Sequence, residues 1–149
     1  MAPQSLAVLD KEATADQCPI MPECGLTVLN NYELRQGPEA FERAIIALAK
    51  RVEAEGHPGV LSYRFFVNPA ENSAQVVIDY EDPGAWIGHH EIAMGWPEMT
   101  ALHAVAHLAE VTFLGALTAE IESWIATSTL TARIRRGNRF AAGFRRPRR

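Results

Sequence analysis

The sequence predicts one α+β domain with the element order β-α-β-β-α-β, an antiparallel sheet carrying both helices on one face. Three observations predict it. Leu26, Val28, Tyr32 and Leu34 alternate with Thr27, Glu33 and Arg35, the two-residue period of a half-buried strand. Phe41, Ala44, Ile45, Leu48, Ala49 and Val52 then recur at three and four residues, which puts one apolar stripe on a helix. Two β-rich segments separated by a short polar turn follow, and Asp82-Pro83 starts a second helix behind them.

Taken in order, Gly37 and Pro38 stop the first strand, and Pro suits the first helical position. The helix that follows has acids first (Glu39, Glu42) and bases last (Lys50, Arg51), as its dipole favours. Gly56 and Pro58 end it, and Val60 to Val67 is rich in β-branched and aromatic residues. Asn68 to Ser73 is a turn, short enough to make Ala74 to Tyr80 the antiparallel hairpin partner of the second strand. On the second helix Trp86, His89 or His90, and Ala93 line one side. Gly95 and Pro97 interrupt it, and Met99, Leu102, Val105 and Ala106 carry the stripe on to about His107. Glu110 to Leu117 reads as the fourth strand, and Ala119 to Ala126 as a terminal helix that packs through Ile121, Trp124 and Ile125. This is the ferredoxin-like, split β-α-β arrangement. The sheet's other face is expected to carry apolar residues, for which a second copy of the chain is the economical cover.

At 149 residues the chain is long enough to bury a core without disulfides or metal. A hydrophobic fraction of 48% and a charged fraction of 21% exclude wholesale disorder and fibrous repeats. No apolar run approaches a membrane span and no signal-peptide pattern opens the sequence, so a cytoplasmic location is expected. Residues 1–25 form a leader without periodicity that includes both cysteines, Cys18 and Cys24, with nothing to complete a metal site. Eight arginines and no acid follow Ala126, so residues 127–149 are an electrostatically separate, Arg-rich tail. Self-repulsion and few apolar anchors predict it to be disordered and solvated; nucleic acid, anionic lipid or an acidic partner surface are the alternatives.

Within a domain of residues 26–126, the stretch from about Leu26 to Leu117 resembles the antibiotic biosynthesis monooxygenase-type family of dimeric α/β barrels. The likeness rests on ELRQGPEAFERA (Glu33 to Ala44), HPGVLSYRFF (His57 to Phe66) and above all VVIDYEDPGAWIGHH (Val76 to His90). Family members often run an aromatic-acid pair off strand three and place a His on the next helix; Tyr80 and Glu81 match the pair, with Tyr80 where Trp is more usual, and His89 matches the helical His. The resemblance implies a homodimer whose two sheets close a barrel, with a cavity between sheet and helices in each subunit. It implies oxygenase chemistry on phenolic or polyketide-like aromatics without a cofactor, although fold alone does not settle activity. Haem-degrading relatives combine a strand-one Asn with a helical Trp and His. Asn30 or Asn31, Trp86 and His89 are present here, but the three-residue Trp86–His89 spacing is too short, and that reaction is not carried over.

Several residues are candidates for chemistry. His89 is expected to face the cavity as base or hydrogen-bonding group, against the alternative of a histidine satisfied at the helix-sheet seam. His90 competes with it for that place. Asn30 falls on the apolar side of strand one, unless a bulge substitutes Asn31. Trp86 and Trp96 could wall an aromatic ligand, or be plain core. Tyr63 and Arg64 face opposite sides of strand two, and Tyr63, whose hydroxyl could orient a phenol, is the one assigned to the cavity with Tyr80. His103 and His107, four apart, could share a metal with Glu110, against a solvent-facing pair. No phosphate loop, nucleophile elbow or paired catalytic carboxylates occur, so chemistry has to come from the substrate. A cofactor-independent monooxygenase and a non-catalytic dimeric module for small aromatic or lipid-like ligands are the two readings that remain.

Overall fold

A computed structural model describes residues 25–148. The leader and its two cysteines lie outside the described residues but for Gly25. The elements run β1 (Leu26–Leu34), α1 (Gly37–Glu55), β2 (Val60–Asn68), β3 (Ser73–Tyr80), α2 (Pro83–Ala93), α3 (Pro97–Val105), β4 (Ala106–Leu114), α4 (Ala119–Thr127) and β5 (Arg133–Asn138).

The fold is α+β, built on a five-stranded mixed sheet of order β2-β3-β1-β4-β5. The first four strands pair antiparallel, and β5 adds to β4 in parallel. Leu26, Val28, Tyr32 and Leu34 of β1 are buried together with Ala74, Val76, Ile78 and Tyr80 of β3. The register sets Val28 opposite both Ile78 and Phe113, so the two-residue period of all three strands turns one common face toward the helices. Phe41, Ile45, Leu48 and Val52 of α1, Trp86 and Ala93 of α2, and Met99 and Leu102 of α3 complete this core.

Local chemistry fixes the boundaries around the site. Asp82 caps α2, its carboxylate accepting from the Ala85 amide at 2.9 Å, and Pro83 takes the first helical position. Thr118 caps α4 in the same way, accepting from the Ile121 amide. In the β2–β3 turn Asn72 adopts a positive φ of 52°, which Asn tolerates, and its side-chain amide donates to the Leu34 carbonyl at 3.0 Å. Arg51 of α1 pairs with Glu98 at 2.9 Å and lies over the Trp96 ring at 4.3 Å, which ties α3 to α1.

Three expectations are corrected. The fourth strand spans Ala106–Leu114, not Glu110–Leu117. Val105 and Ala106 satisfy a helical and a strand period alike, and pairing of Ala106 and Leu108 with Leu34 and Tyr32 on the central strand decides for the strand, while Gly115, at a φ of 132°, ends it. The stretch beyond Ala126 is not uniformly a solvated tail: residues 133–138 form β5. Glu110 accepts from Arg135 at 2.9 Å and approaches Arg133, while Arg136 pairs with Glu122 and Arg145 approaches Asp79, so the acids of the chain's own body relieve the self-repulsion. The sheet's outer face is not a uniformly apolar surface. Leu29, Val77, Phe66 and Leu114 share it with Thr27, Asn31, Asp79 and Arg64, and Asp79 accepts from Thr27 and Ser62 at 2.7 Å each.

Candidate functional site

Between the inner face of the sheet and helices α2–α4 lies a cavity of about 340 Å³. Eight of the residues singled out from sequence line it together: Asn30, Tyr63, Tyr80, Trp86, His89 and His90, with His103 and His107, which were weighed as metal ligands. Trp96 is not among them; as the residue capping α3 it packs on Arg51 instead.

His89 is 2% exposed, as deeply buried as Tyr80 beside it. Helical spacing places it one turn from Trp86 and Ala93, on the stripe of α2 that faces the sheet. Its ring sits edge-on to Tyr63 at 5.5 Å and tilted to Tyr80 at 6.0 Å. Its Nδ1 is sealed from water and has no hydrogen-bond partner. Burial, reinforced by the neighbouring His90 and His57 rings, pushes its imidazolium down to about 3, so at neutral pH His89 is an uncharged imidazole. His90 differs. Its Nδ1 lies 2.7 Å from the Trp86 carbonyl one turn back, so as donor it is satisfied by its own helix, and its ring lies tilted by 37° against Trp86 at 4.1 Å. Burial holds it down to about 4, against the opposing pull of that hydrogen bond. Of the two histidines, His89 alone has a ring nitrogen buried without a partner, which is the asymmetry that sequence could not supply.

Asn30 carries a second orphan: its Oδ1 is buried and unpartnered. The bulge weighed for β1 lies instead in β4: Asn31 pairs with Glu110 and Tyr32 with Leu108, which leaves Ala109 as the extra residue, and β1 runs against β3 without a shift. Asn30 therefore keeps its place on the inner face, while Asn31 turns outward and donates to Glu110 at 3.3 Å. The Tyr80 hydroxyl is the third buried group without a partner. Burial raises Tyr80 and Tyr63 far above the ordinary phenol range and pushes Tyr32 up to about 12, the Asn30 amide pulling the last the other way. All three phenols stay protonated at neutral pH. Three unsatisfied polar atoms around one cavity are unusual, since buried polar groups almost always find a partner.

Two further groups shape α2. Gly88 packs directly on His57: a Cβ there would lie 2.4 Å from Cδ2 and 2.7 Å from Nε2 of that ring, so only glycine allows this approach. His57 is held in turn by the Gly59 amide, which donates to its Nδ1 at 3.0 Å. Trp124 of α4 meets Trp86 and His90 edge-on, each at 5.1 Å, and closes the cavity on the side away from the sheet. Sequence reading assigned Trp124 only to packing of the terminal helix and treated Tyr32 only as a strand residue. Their aromatic character was visible, but their convergence on the cavity depends on where α4 docks.

The metal arrangement weighed for His103, His107 and Glu110 is corrected. His107 lies in β4 rather than on the helix, so although it and His103 both line the cavity they are no longer one helical turn apart, and Glu110 is taken up by Asn31 and Arg135. Among the described residues no three His, Cys, Asp or Glu side chains gather as a metal site. No helix among them is long and apolar enough to cross a membrane.

The fold is that of antibiotic biosynthesis monooxygenase-type proteins. Among solved structures it is similar to SnoaB, a cofactor-independent oxygenase from Streptomyces nogalater, at 20% identity and a TM-score of 0.51, over 64% of this chain and 96% of that one. A protein of Caulobacter crescentus described as a candidate antibiotic biosynthesis monooxygenase matches at 22% identity and a TM-score of 0.53, over 64% and 92%. MupZ from Pseudomonas fluorescens matches at 16% identity and a TM-score of 0.58, over 83% of this chain and 96% of MupZ. At these identities the likeness is one of fold. No family model and no curated protein matches the chain.

Proposed function

We propose that this protein is a cofactor-independent, monooxygenase-like enzyme acting on a small phenolic or polyketide-like aromatic held in the cavity beneath α2. The observation that carries the reading is the trio of unpartnered buried polar atoms, His89 Nδ1, Asn30 Oδ1 and the Tyr80 hydroxyl, around an aromatic-walled hollow. The likeness in fold to SnoaB, itself described as a cofactor-independent oxygenase, supports it.

In this reading an anthrone-type substrate lies against Trp86 with its acidic CH₂ facing His89. The neutral imidazole takes a proton and leaves a carbanion stabilised through the conjugated ring oxygen, which Asn30, Tyr63 or Tyr80 orients. Alone in the cavity, His89 resists protonation because burial penalises the imidazolium. The anion formed beside it offsets that penalty by pairing with the new cation, so proton transfer is coupled to the presence of substrate. The carbanion passes one electron to dioxygen; the resulting radical pair combines to a hydroperoxide, which loses water to a carbonyl. The ring CH₂ and O₂ thus become C=O and H₂O, with no outside reductant, and the cavity's role is to position the substrate and exclude water.

A homodimer is part of the same proposal. Phe66 and Leu114, 52% and 40% exposed, together with half-buried Leu29 and Val77, give the outer face enough apolar surface for a second copy to cover, as in a dimeric α/β barrel. The depth of the His89 depression favours one alternative, a non-catalytic dimeric module that uses the same cavity for binding.

Oxygen consumption with dithranol, a simple anthrone, separates the two. The enzyme reading predicts turnover without added metal, flavin or haem, and a loss of about a hundredfold or more in a His89→Phe variant that still folds. Saturable binding without oxygen uptake would leave the binding module.

A further inference from the structure

The cavity has a charge polarity along its length. None of its lining residues is Asp or Glu, in a chain where acids number 18 and outnumber the 14 Lys and Arg. Its deep end, at Tyr63, Tyr80 and His89, offers only neutral groups. Its other end, past the close of β1, is bordered by Arg35 and by His103 of α3. Arg35 and His103 are close enough for the guanidinium to hold the His103 imidazolium down, second only to burial. Arg35 is exposed at the rim, and among the described residues it has no ion pair. Arg51, Arg133, Arg135, Arg136 and Arg145 each lie against a carboxylate, and the other described arginines without an ion pair, Arg43, Arg64, Arg139, Arg146 and Arg148, do not line the cavity. Glu33, two residues before it, lies on the outer side of β1 and does not reach it. A single unpaired guanidinium at the mouth of a cavity whose other polar groups are uncharged amides, phenols, hydroxyls and imidazoles, with no acid among them, is a fixed attraction for one negative charge.

The geometry points to a ligand that is an aromatic acid, seated with a hydroxyl group that donates to the deep orphan Asn30 Oδ1 beside His89 and with its anionic group at Arg35, where His103 adds a ring-nitrogen contact. Asn30 precedes Arg35 by five residues, about 16 Å along the strand direction, so a fused-ring skeleton spans the two only with a substituent and the length of the Arg side chain between them. This rests on the proposed occupancy of the cavity by an aromatic molecule and adds the charge that molecule must carry. Arg35 then acts as a specificity residue: it selects among aromatics by an ion pair at the rim, away from the reacting atoms.

The test uses two fluorescent probes that differ by one anionic group, 8-anilinonaphthalene-1-sulfonate and neutral N-phenyl-1-naphthylamine, titrated into the full chain while energy transfer from Trp86 and Trp124 is followed. The sulfonate is expected to bind roughly five- to tenfold more tightly at low salt, the margin shrinking as salt rises. Arg35→Gln is expected to remove most of that margin while leaving the neutral probe's affinity unchanged, which also verifies that the variant is folded. Equal affinities in the wild-type chain, or a margin that persists in Arg35→Gln because the C-terminal arginines supply it, would overturn the assignment while sparing the cavity. Failure of both probes to bind would overturn the occupied cavity and the assignment with it.

Discussion

Lowering the pH from 7 to 5 probes the burial of His89 and His90 without altering a single residue. Both imidazoles are neutral in the folded chain, with ionisation pushed from 6.5 down to about 3 and about 4. In the unfolded chain each returns to its ordinary value, so between pH 6.5 and those depressed values the unfolded state binds more protons. Stability must therefore fall as pH drops through this window, and be unaffected by these groups above it. One pH unit corresponds to about 1.4 kcal/mol per group, so 1.5 units amount to about 2 kcal/mol for each histidine and about 4 kcal/mol for the pair at pH 5. Glu98 and Glu110 act in the same direction but lower, since their ion pairs hold them below the ordinary 4.5 and are lost only as pH falls past that value. Urea unfolding followed by tryptophan fluorescence at pH 7, 6 and 5 measures the loss. His89→Phe keeps the ring volume and removes one of the two titrating groups, and the loss is expected to fall to about 2 kcal/mol. Stability that stays flat from pH 7 to 5 would refute the claim that these rings are shut from water.

Three further outcomes follow from the packing. Gly88→Ala drives a methyl group into the His57 ring and is expected to cost about 1–3 kcal/mol; His57→Ala in the same chain should recover much of it, a coupling that a double-mutant cycle with thermal unfolding reads directly. Phe113→Ala, at a fully buried ring touching Trp86, is expected to lose about 3–5 kcal/mol in urea unfolding, most of it from the void left behind. The outer face predicts a dimer by light scattering, and Phe66→Glu is expected to shift it toward monomer while leaving the helical signal intact.

Periodicity made most of the fold legible. The alternation from Leu26 to Leu34, the three- and four-residue stripe of α1 and the Asp82-Pro83 start are local signals with local causes, and the structure keeps them. What failed was non-local. Val105 and Ala106 fit two periods, and only the register against Leu34 and Tyr32 selects the strand. The arginines beyond Ala126 read as mutually repelling because their partners, Glu110, Glu122 and Asp79, are distant in sequence and meet them only when β5 docks on β4. At the candidate site, the alternation of β1 placed Asn30 inward, and the spacing of α2 put Trp86 and His89 on one stripe. Choosing His89 over His90 required the carbonyl of Trp86, which satisfies His90 and leaves His89 without a partner. Trp96 was misassigned for a similar reason: its partner Arg51 is 45 residues away.

The central claim is that an aromatic molecule occupies the hollow against His89 and Asn30. Nuclear magnetic resonance of the chain labelled with ¹⁵N at histidine and asparagine side chains, titrated with dithranol under argon so that no oxidation intervenes, tests it at the atoms concerned. The His89 ring and Asn30 amide signals are expected to move together and saturate at one ligand per chain, while those of outward-facing Asn31 stay in place. Signals of His89 and Asn30 that remain still at saturating ligand, or shifts confined to the outer face, would contradict it.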